Sequence, residues 1–365
     1  MARPAEKPSA ALPSGAGGDT PRGVTARTTS AATAATTRAA SKYLLAATLS
    51  GYRPRRGLQL PRAAQTPSMS SLRETSLQYA ALGEPDKPPG SFVTAAGVRI
   101  HYVRRGDGPP VVYVHGAKGS VYDFVLSIGD RLAERYTAVA FDRPGSGFSG
   151  RAAQDGGSPQ AQAAVLRAAA AALGLERPVL VGHSLGAAVA LAWALDAPAE
   201  VAAVVTLGGY TVPLGGPPPW VTALMRSRTM LRGVGRLGRS RLGRPFVDGA
   251  LRRAFYPGRP PAEYARIAPL LALDDARLVS DGDDRKSAEA GLRALQPRYA
   301  GLQTPVVIVV GEQDRMVPPS TSERLHATLP HAEIVRLPAA GHMPQFTAPE
   351  AVLAAVDRAA ARGGA

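Results

Sequence analysis

At 365 residues, 45% of them apolar, the chain is long enough for one large α/β domain or two smaller ones and can bury a substantial core. It holds no cysteine, which excludes disulfides, thiolate metal sites and a cysteine nucleophile. Its formal net charge of +15 would suit nucleic acid or an anionic membrane, but no zinc-finger spacing or aromatic RNP-like strand accompanies it, so nucleic acid is not an expected partner.

Residues 1–89 carry 12 basic and 5 acidic side chains. As far as Arg62 the only acids are Glu6 and Asp19, set among Ala, Thr, Ser, Pro and Gly. Such a composition cannot bury enough apolar surface to offset its ordering entropy. The segment is expected to be a disordered extension, or the product of an early start with Met69 as a second candidate start, on a cytoplasmic protein. An Arg- and Ser-rich, acid-poor leader is also the composition of a targeting segment, although Arg55-Arg56 lacks the apolar run of a twin-arginine signal. The longest apolar stretch here, Tyr43 to Leu49, is far short of the roughly 20 residues of a membrane span.

Regular patterning begins at Ser91. Phe92 to Thr94 and Val98 to Tyr102 flank Gly97 and predict a hairpin. Short β-branched runs without alternation follow, the signature of strands buried on both faces: Val111 to Val114, Thr137 to Phe141, Val179 to Val181, Val201 to Leu207, Val306 to Val310 and Ile334 to Leu337. Helix signals lie between them. Ser158-Pro159 predicts an N-cap with proline at the first helical position, and Gly174 a helix end. Thr347 with Glu350 predicts a capping box before the last helix. Strands alternating with helices imply a parallel sheet covered on both sides.

The alternation stops between Gly208 and Gln303, a stretch rich in Pro, Gly and Arg with only helical fragments, which predicts a cap (208–303) inserted between two parts of a core (90–207 and 304–365). The insertion carries 16 basic and 8 acidic residues, whereas the core parts, with 10 against 9 and 5 against 6, are neutral. Trp220, Val221, Leu224 and Leu231 recur near one helical face, and Arg232, Arg236, Arg239, Arg241 and Arg244 follow. Those arginines are a solvated surface, a peripheral contact with anionic membrane, or a cationic mouth for acidic substrates.

Chemistry concentrates in Gly182-His183-Ser184-Leu185-Gly186, which an apolar strand enters and an Ala-rich helix leaves. This G-x-S-x-G context predicts a nucleophile elbow, with Ser184 on a tight turn and the glycines at 182 and 186 relieving backbone crowding. Six histidines could serve as its base. His101 falls in the hairpin, His115 in a loop after the first parallel strand, and His183 inside the elbow, while His326 and His331 bracket a helix end. His342 alone follows the nucleophile at the C-terminal edge of the sheet, and it is the candidate base. Asp314, in the turn after the Val306 to Val310 strand, is the candidate orienting acid, with Glu312 as the alternative. The chain order Ser, Asp, His is the one used by one hydrolase architecture.

These segments, together with Tyr113-Val114-His115-Gly116-Ala117-Lys118-Gly119-Ser120 and Phe141-Asp142-Arg143-Pro144-Gly145-Ser146-Gly147-Phe148-Ser149, resemble the α/β-hydrolase superfamily over about residues 90–362 apart from the cap. The resemblance implies an α/β-hydrolase fold: a mostly parallel twisted sheet flanked by helices, with an inserted helical cap. It implies the Ala117 and Leu185 backbone N–H groups as oxyanion donors, a structural role for the Asp142 turn, and an acyl-enzyme mechanism that needs no metal or cofactor. The expected activity is hydrolysis of an ester or related acyl bond in a small molecule. Carbon–carbon hydrolysis, lactonase, thioesterase or cofactor-free haloperoxidase chemistry uses the same triad, and a non-catalytic ligand-binding protein is the alternative of another class. Lys118, beside the oxyanion loop, is a departure from the family pattern: it is either solvated or placed to meet an acidic substrate.

Overall fold

The computed structural model describes residues 88–151, 156–215 and 227–365. The extension and the stretch around Trp220 lie outside them. The chain runs β1 (Ser91–Ala95), β2 (Val98–Arg105), β3 (Pro110–Val114), α1 (Tyr122–Val125), α2 (Gly129–Ala133), β4 (Thr137–Phe141), α3 (Pro159–Ala172), β5 (Val179–His183), α4 (Leu185–Asp196) and β6 (Ala203–Leu207). Four helices follow: α5 (Arg228–Arg239), α6 (Arg244–Ala254), α7 (Ala262–Ala272) and α8 (Asp275–Leu295). The chain closes with β7 (Val306–Gly311), α9 (Ser320–Thr328), β8 (Glu333–Leu337), α10 (Pro344–Thr347) and α11 (Pro349–Gly363).

The eight strands form one sheet in the order β1-β2-β4-β3-β5-β6-β7-β8. β1 and β2 pair antiparallel through a turn in which Ala96 and Gly97 both have positive φ, the geometry a two-residue hairpin requires. β2 also runs antiparallel to β4, and every pair from β4 to β8 is parallel. Strands β4 to β7 are buried at every position. Side chains of β3 and β5 alternate between two apolar layers: Val112, Val114 and Leu180 join Leu166, Ala169 and Trp193 on one face, while Val111, Tyr113, Val179 and Val181 join Phe124, Leu132 and Val356 on the other. Strand order reverses at β3 and β5, so a crevice opens beyond their C-terminal ends, where open parallel sheets place their sites.

Ser158 caps α3 as expected, its Oγ accepting from the Ala161 N–H at 3.2 Å, and Gly174 ends the helix with φ of 68°. The capping box at Thr347 does not form. Thr347 is the last residue of α10, and its hydroxyl donates to the Met343 carbonyl at 3.2 Å. Ala348 takes the cap position ahead of Pro349, and Glu350 instead accepts from both terminal nitrogens of Arg131 on α2, at 2.5 and 2.6 Å. The region expected to hold only helical fragments contains the 21-residue α8, whose N-cap Asp274 accepts from the Ala276 and Arg277 N–H groups. Among the described residues, no helix is long and apolar enough to cross a membrane.

The inserted helices are anchored through buried polar contacts. Tyr264 on α7 donates to Asp123 Oδ1 at 2.9 Å, with both residues buried. Burial pushes the Asp123 carboxyl up to about 7, against the opposing hydrogen bond from Tyr264; Asp142 raises it further and Arg143 lowers it. Because the folded value lies above the unfolded one, the native state holds a proton that the unfolded chain has lost between about pH 4 and 7. Stability from this group therefore falls as pH rises through that window, by up to about 1.4 kcal/mol per pH unit. Asp123→Asn should flatten that slope, gaining on the parent chain up to about pH 7 and no further. Urea midpoints measured from pH 4 to 8 check this, and parallel curves for the two proteins would contradict it.

Candidate active site

The elbow is built by steric exclusion. Ser184 sits between β5 and α4 with φ of 51° and ψ of −118°, a backbone conformation costly for any residue with a Cβ. A Cβ at position 182 would lie 2.5 Å from the Ala187 Cα, and one at 186 would lie 2.1 Å from the Val114 carbonyl oxygen, so both positions require glycine. The Ser184 N–H donates to the Leu207 carbonyl at 2.9 Å, and its carbonyl accepts from the Tyr210 N–H at 3.0 Å. The chain leaving β6 thus braces the turn.

Asp314 and His342 meet across 28 residues of sequence. Asp314 Oδ1 accepts from the Met316 and Val317 N–H groups at 2.7 and 2.9 Å, which fixes the carboxylate at the end of β7. Its Oδ2 lies 2.7 Å from His342 Nδ1. A carboxylate can only accept, so Nδ1 carries the proton and Nε2 presents a lone pair. Gly208 lies alongside: with φ of 51°, its Cβ would stand 3.2 Å from Asp314 Oδ2 and 3.3 Å from His342 Nδ1. Ser184, Asp314 and His342 are 8%, 9% and 7% exposed. Glu312, the alternative acid, is exposed. His183 supports His342 from beneath, its Nε2–H donating to the His342 carbonyl at 2.8 Å with the two rings 4.8 Å apart. Burial first, and then the neighbouring His342, hold His183 well below the usual imidazole range.

The loop after β3 closes the other side. A Cβ on Gly116 would stand 2.8 Å from the Ser184 Cβ, so the backbone here approaches the elbow directly. His115 is buried, and its Nε2 accepts from the Arg143 N–H at 2.9 Å, which leaves Nδ1–H to donate to the Gly116 carbonyl at 2.8 Å. Burial, followed by the Arg143 charge, pushes His115 down to about 3, so it stays neutral. Ala117 and Leu185 pack into one small apolar cluster with Ala188 and with Ala288 and Leu292 of α8. Leu185 is the first residue of α4, where an N–H has no acceptor within its own helix. Lys118, at φ of 59°, lines a crevice with Asp281 and Arg277. The Lys118 side chain is exposed.

Asp142 ties three segments together: Oδ1 accepts from the Val121 N–H at 2.8 Å, and Oδ2 meets the Phe148 N–H at 2.8 Å and His101 Nδ1 at 2.7 Å. Arg143, Gly116, Gly208 and His183 were not singled out as site residues from the sequence. The signal available for Arg143 was a full charge set between apolar strand residues and a Pro-Gly turn. An open groove of about 1330 Å³, lined by Phe148, Arg228, Arg232, Arg236 and Arg277 among others, includes none of Ser184, Asp314 or His342. Among the described residues, no group of His, Asp and Glu side chains is placed to hold a metal ion.

This architecture recurs in known proteins. The RutD proteins of Shigella flexneri, whose name assigns them provisionally to carbamate hydrolysis, are 30% identical over 250 residues, 67% of this chain and 88% of theirs. An alpha/beta hydrolase fold protein from Burkholderia ambifaria superposes with a TM-score of 0.61 at 24% identity, covering 73% of this chain and 96% of its own. A thermophilic esterase from Thermogutta terrifontis does so with a TM-score of 0.57 at 22% identity, covering 75% and 99%. The family model for the alpha/beta hydrolase fold matches residues 109–349, which takes in the elbow, the Asp314 turn and His342. With that match added to the sheet order and the strained elbow, the chain belongs to the α/β-hydrolase superfamily and is a hydrolase.

Proposed function

We propose that this hydrolase is a serine enzyme that cleaves an ester or related acyl bond, carbamates included, through an acyl-enzyme intermediate. The observation that carries the reading is the 2.7 Å contact between Asp314 Oδ2 and His342 Nδ1, which Gly208 flanks one residue beyond the Leu207 carbonyl that holds the N–H of Ser184, itself at φ of 51°. In this mechanism His342 Nε2 takes the Ser184 proton as Oγ attacks the acyl carbon. The Ala117 and Leu185 N–H groups hold the oxyanion, and His342 then protonates the departing alcohol or amine. Water, activated by the same imidazole, attacks the acyl carbon and releases the acid, returning the proton to Ser184. Asp314 stabilises the imidazolium formed on the way.

Carbamate enters through the RutD relatives and carries the same acyl carbon, so the catalytic groups treat it as they treat an ester. A fluorophosphonate probe followed by peptide mass spectrometry should place one label on Ser184. A panel of p-nitrophenyl esters of increasing chain length, with a p-nitrophenyl carbamate, should show which acyl group is turned over. A folded protein that takes no label and hydrolyses none of them would instead be a ligand-binding member of the superfamily.

A further inference from the structure

The Gly116 carbonyl oxygen accepts from three donors: His115 Nδ1–H at 2.8 Å, Arg143 Nη2 at 3.1 Å and the Gly119 N–H at 3.2 Å. In a trans peptide the carbonyl of residue 116 and the N–H of residue 117 share one plane and point in opposite directions. Whatever fixes that oxygen therefore aims the Ala117 N–H. Arg143 also donates from Nε to the His115 carbonyl at 3.0 Å, so a single guanidinium holds two successive peptides of the loop.

Arg143 is completely buried, and its remaining nitrogen is held by Gln162 Oε1 at 2.6 Å and Asp284 Oδ2 at 2.9 Å. Asp284 is equally buried and lies on α8, in the insertion, where its other oxygen accepts from Arg151 at 2.7 Å. One and two helical turns further along, Ala288 and Leu292 of the same helix press on Ala117 and Leu185. The insertion thus grips the loop by a buried ion pair and by an apolar contact at once.

We infer that Arg143, held by Asp284 of the inserted helix, is a positioning residue that aims the Ala117 N–H at the oxyanion and so couples the placement of α8 to catalysis. This rests on the serine-hydrolase reading above. Arg143→Lys keeps a cation for Asp284 but cannot hold both carbonyls, and Asp284→Asn removes the charge with little change of shape. Each should lower kcat on p-nitrophenyl acetate by about 10- to 100-fold with KM nearly unchanged, since a misplaced oxyanion donor acts only in the transition state. Affinity for an alkyl boronic acid, which mimics the tetrahedral intermediate, should fall in parallel. Parent chain without turnover or probe labelling would sink the serine-hydrolase reading itself. An active parent whose two variants melt earlier but keep kcat and boronate affinity would overturn the coupling alone, leaving the pair a structural brace.

A separate observation concerns the outer tip of the insertion. Of the seven large apolar side chains exposed among the described residues, four fall within residues 234–246: Val234, Leu237, Leu242 and Phe246, the last two 80% and 72% exposed. On α5, Met230, Val234 and Leu237 share one face, and Arg228, Arg232 and Arg236 lie on the opposite one. Gly235 and Gly238 seat the helix against Leu278 and Leu273. A helix with so sharp a division and, among the described residues, no core on its apolar side, in a segment with eight surplus positive charges, matches the chemistry of an anionic lipid surface.

We propose that this tip docks on anionic bilayers. The full chain should co-sediment with phosphatidylcholine vesicles containing phosphatidylserine, weakly or not at all with phosphatidylcholine alone, and less as salt shortens the Debye length from roughly 10 Å at 0.1 M. Leu242→Ser with Phe246→Ser, or Arg232→Gln with Arg236→Gln and Arg241→Gln, should each weaken binding by about tenfold or more. Arg239 is left in place because it is engaged by Asp275. Absence of vesicle binding, or a salt-insensitive dimer that the Leu242 and Phe246 changes dissolve, would overturn the lipid assignment.

Discussion

Ser184→Ala is expected to lower turnover by on the order of 10⁴-fold or more while leaving the fold intact, and His342→Ala to do the same. The bonds that hold position 184 are backbone bonds, from its N–H to Leu207 and from Tyr210 to its carbonyl, and alanine keeps both. Its Cβ already occupies the same crowded turn, so the substitution adds no strain. At position 342 the contact from His183 goes to the backbone carbonyl and survives loss of the ring. The two changes should also fail to add: once either group is gone, proton transfer from serine is lost, and the double variant should be no worse than the singles. Initial rates on p-nitrophenyl esters, with circular dichroism as the control for folding, test this. Purified Ser184→Ala that keeps its esterase rate would remove Ser184 from the chemistry.

The sheet was legible because its strands are buried on both faces and have no room for polar residues. Val179 to Val181 and Val306 to Val310 need β-branched side chains on either side, and such runs stand out in a sequence. The elbow was legible for a related reason, since only glycine fits at 182 and 186. The polar contacts between distant segments were not legible. Arg143 and Asp284 are 141 residues apart, and nothing local to either marks the other as its partner. The resemblance implies a structural role for the Asp142-Arg143 turn; the turn also reaches the loop after β3, because its guanidinium donates to the His115 and Gly116 carbonyls. Thr347 and Glu350 satisfied a local spacing rule and were overruled by tertiary contacts, one taken by the preceding turn and the other by Arg131. The helices between β6 and β7 are weakly marked in the sequence because Pro269 and several glycines lie inside them, where propensity argues for breaks and packing against α8 and the core decides otherwise.

Asp314→Asn should cost nearly as much as losing the serine, about 10⁴-fold in kcat, although the two side chains have the same shape. The reason lies in the two N–H groups of Met316 and Val317 that point at Oδ1. An asparagine there must turn its carbonyl oxygen to those donors, because its amide nitrogen cannot accept from them. The NH₂ is thereby forced to the Oδ2 side, facing His342 Nδ1. It can only donate, so Nδ1 must become the acceptor and the ring proton moves to Nε2. His342 is then held in the tautomer that cannot take a proton from Ser184. Glu312→Gln should be nearly neutral, since that side chain is exposed. Steady-state rates for both variants, with thermal melts showing Asp314→Asn still folded, decide between the two carboxylates. Retention of activity within about tenfold in Asp314→Asn, set against collapse in Glu312→Gln, would move the orienting role to Glu312.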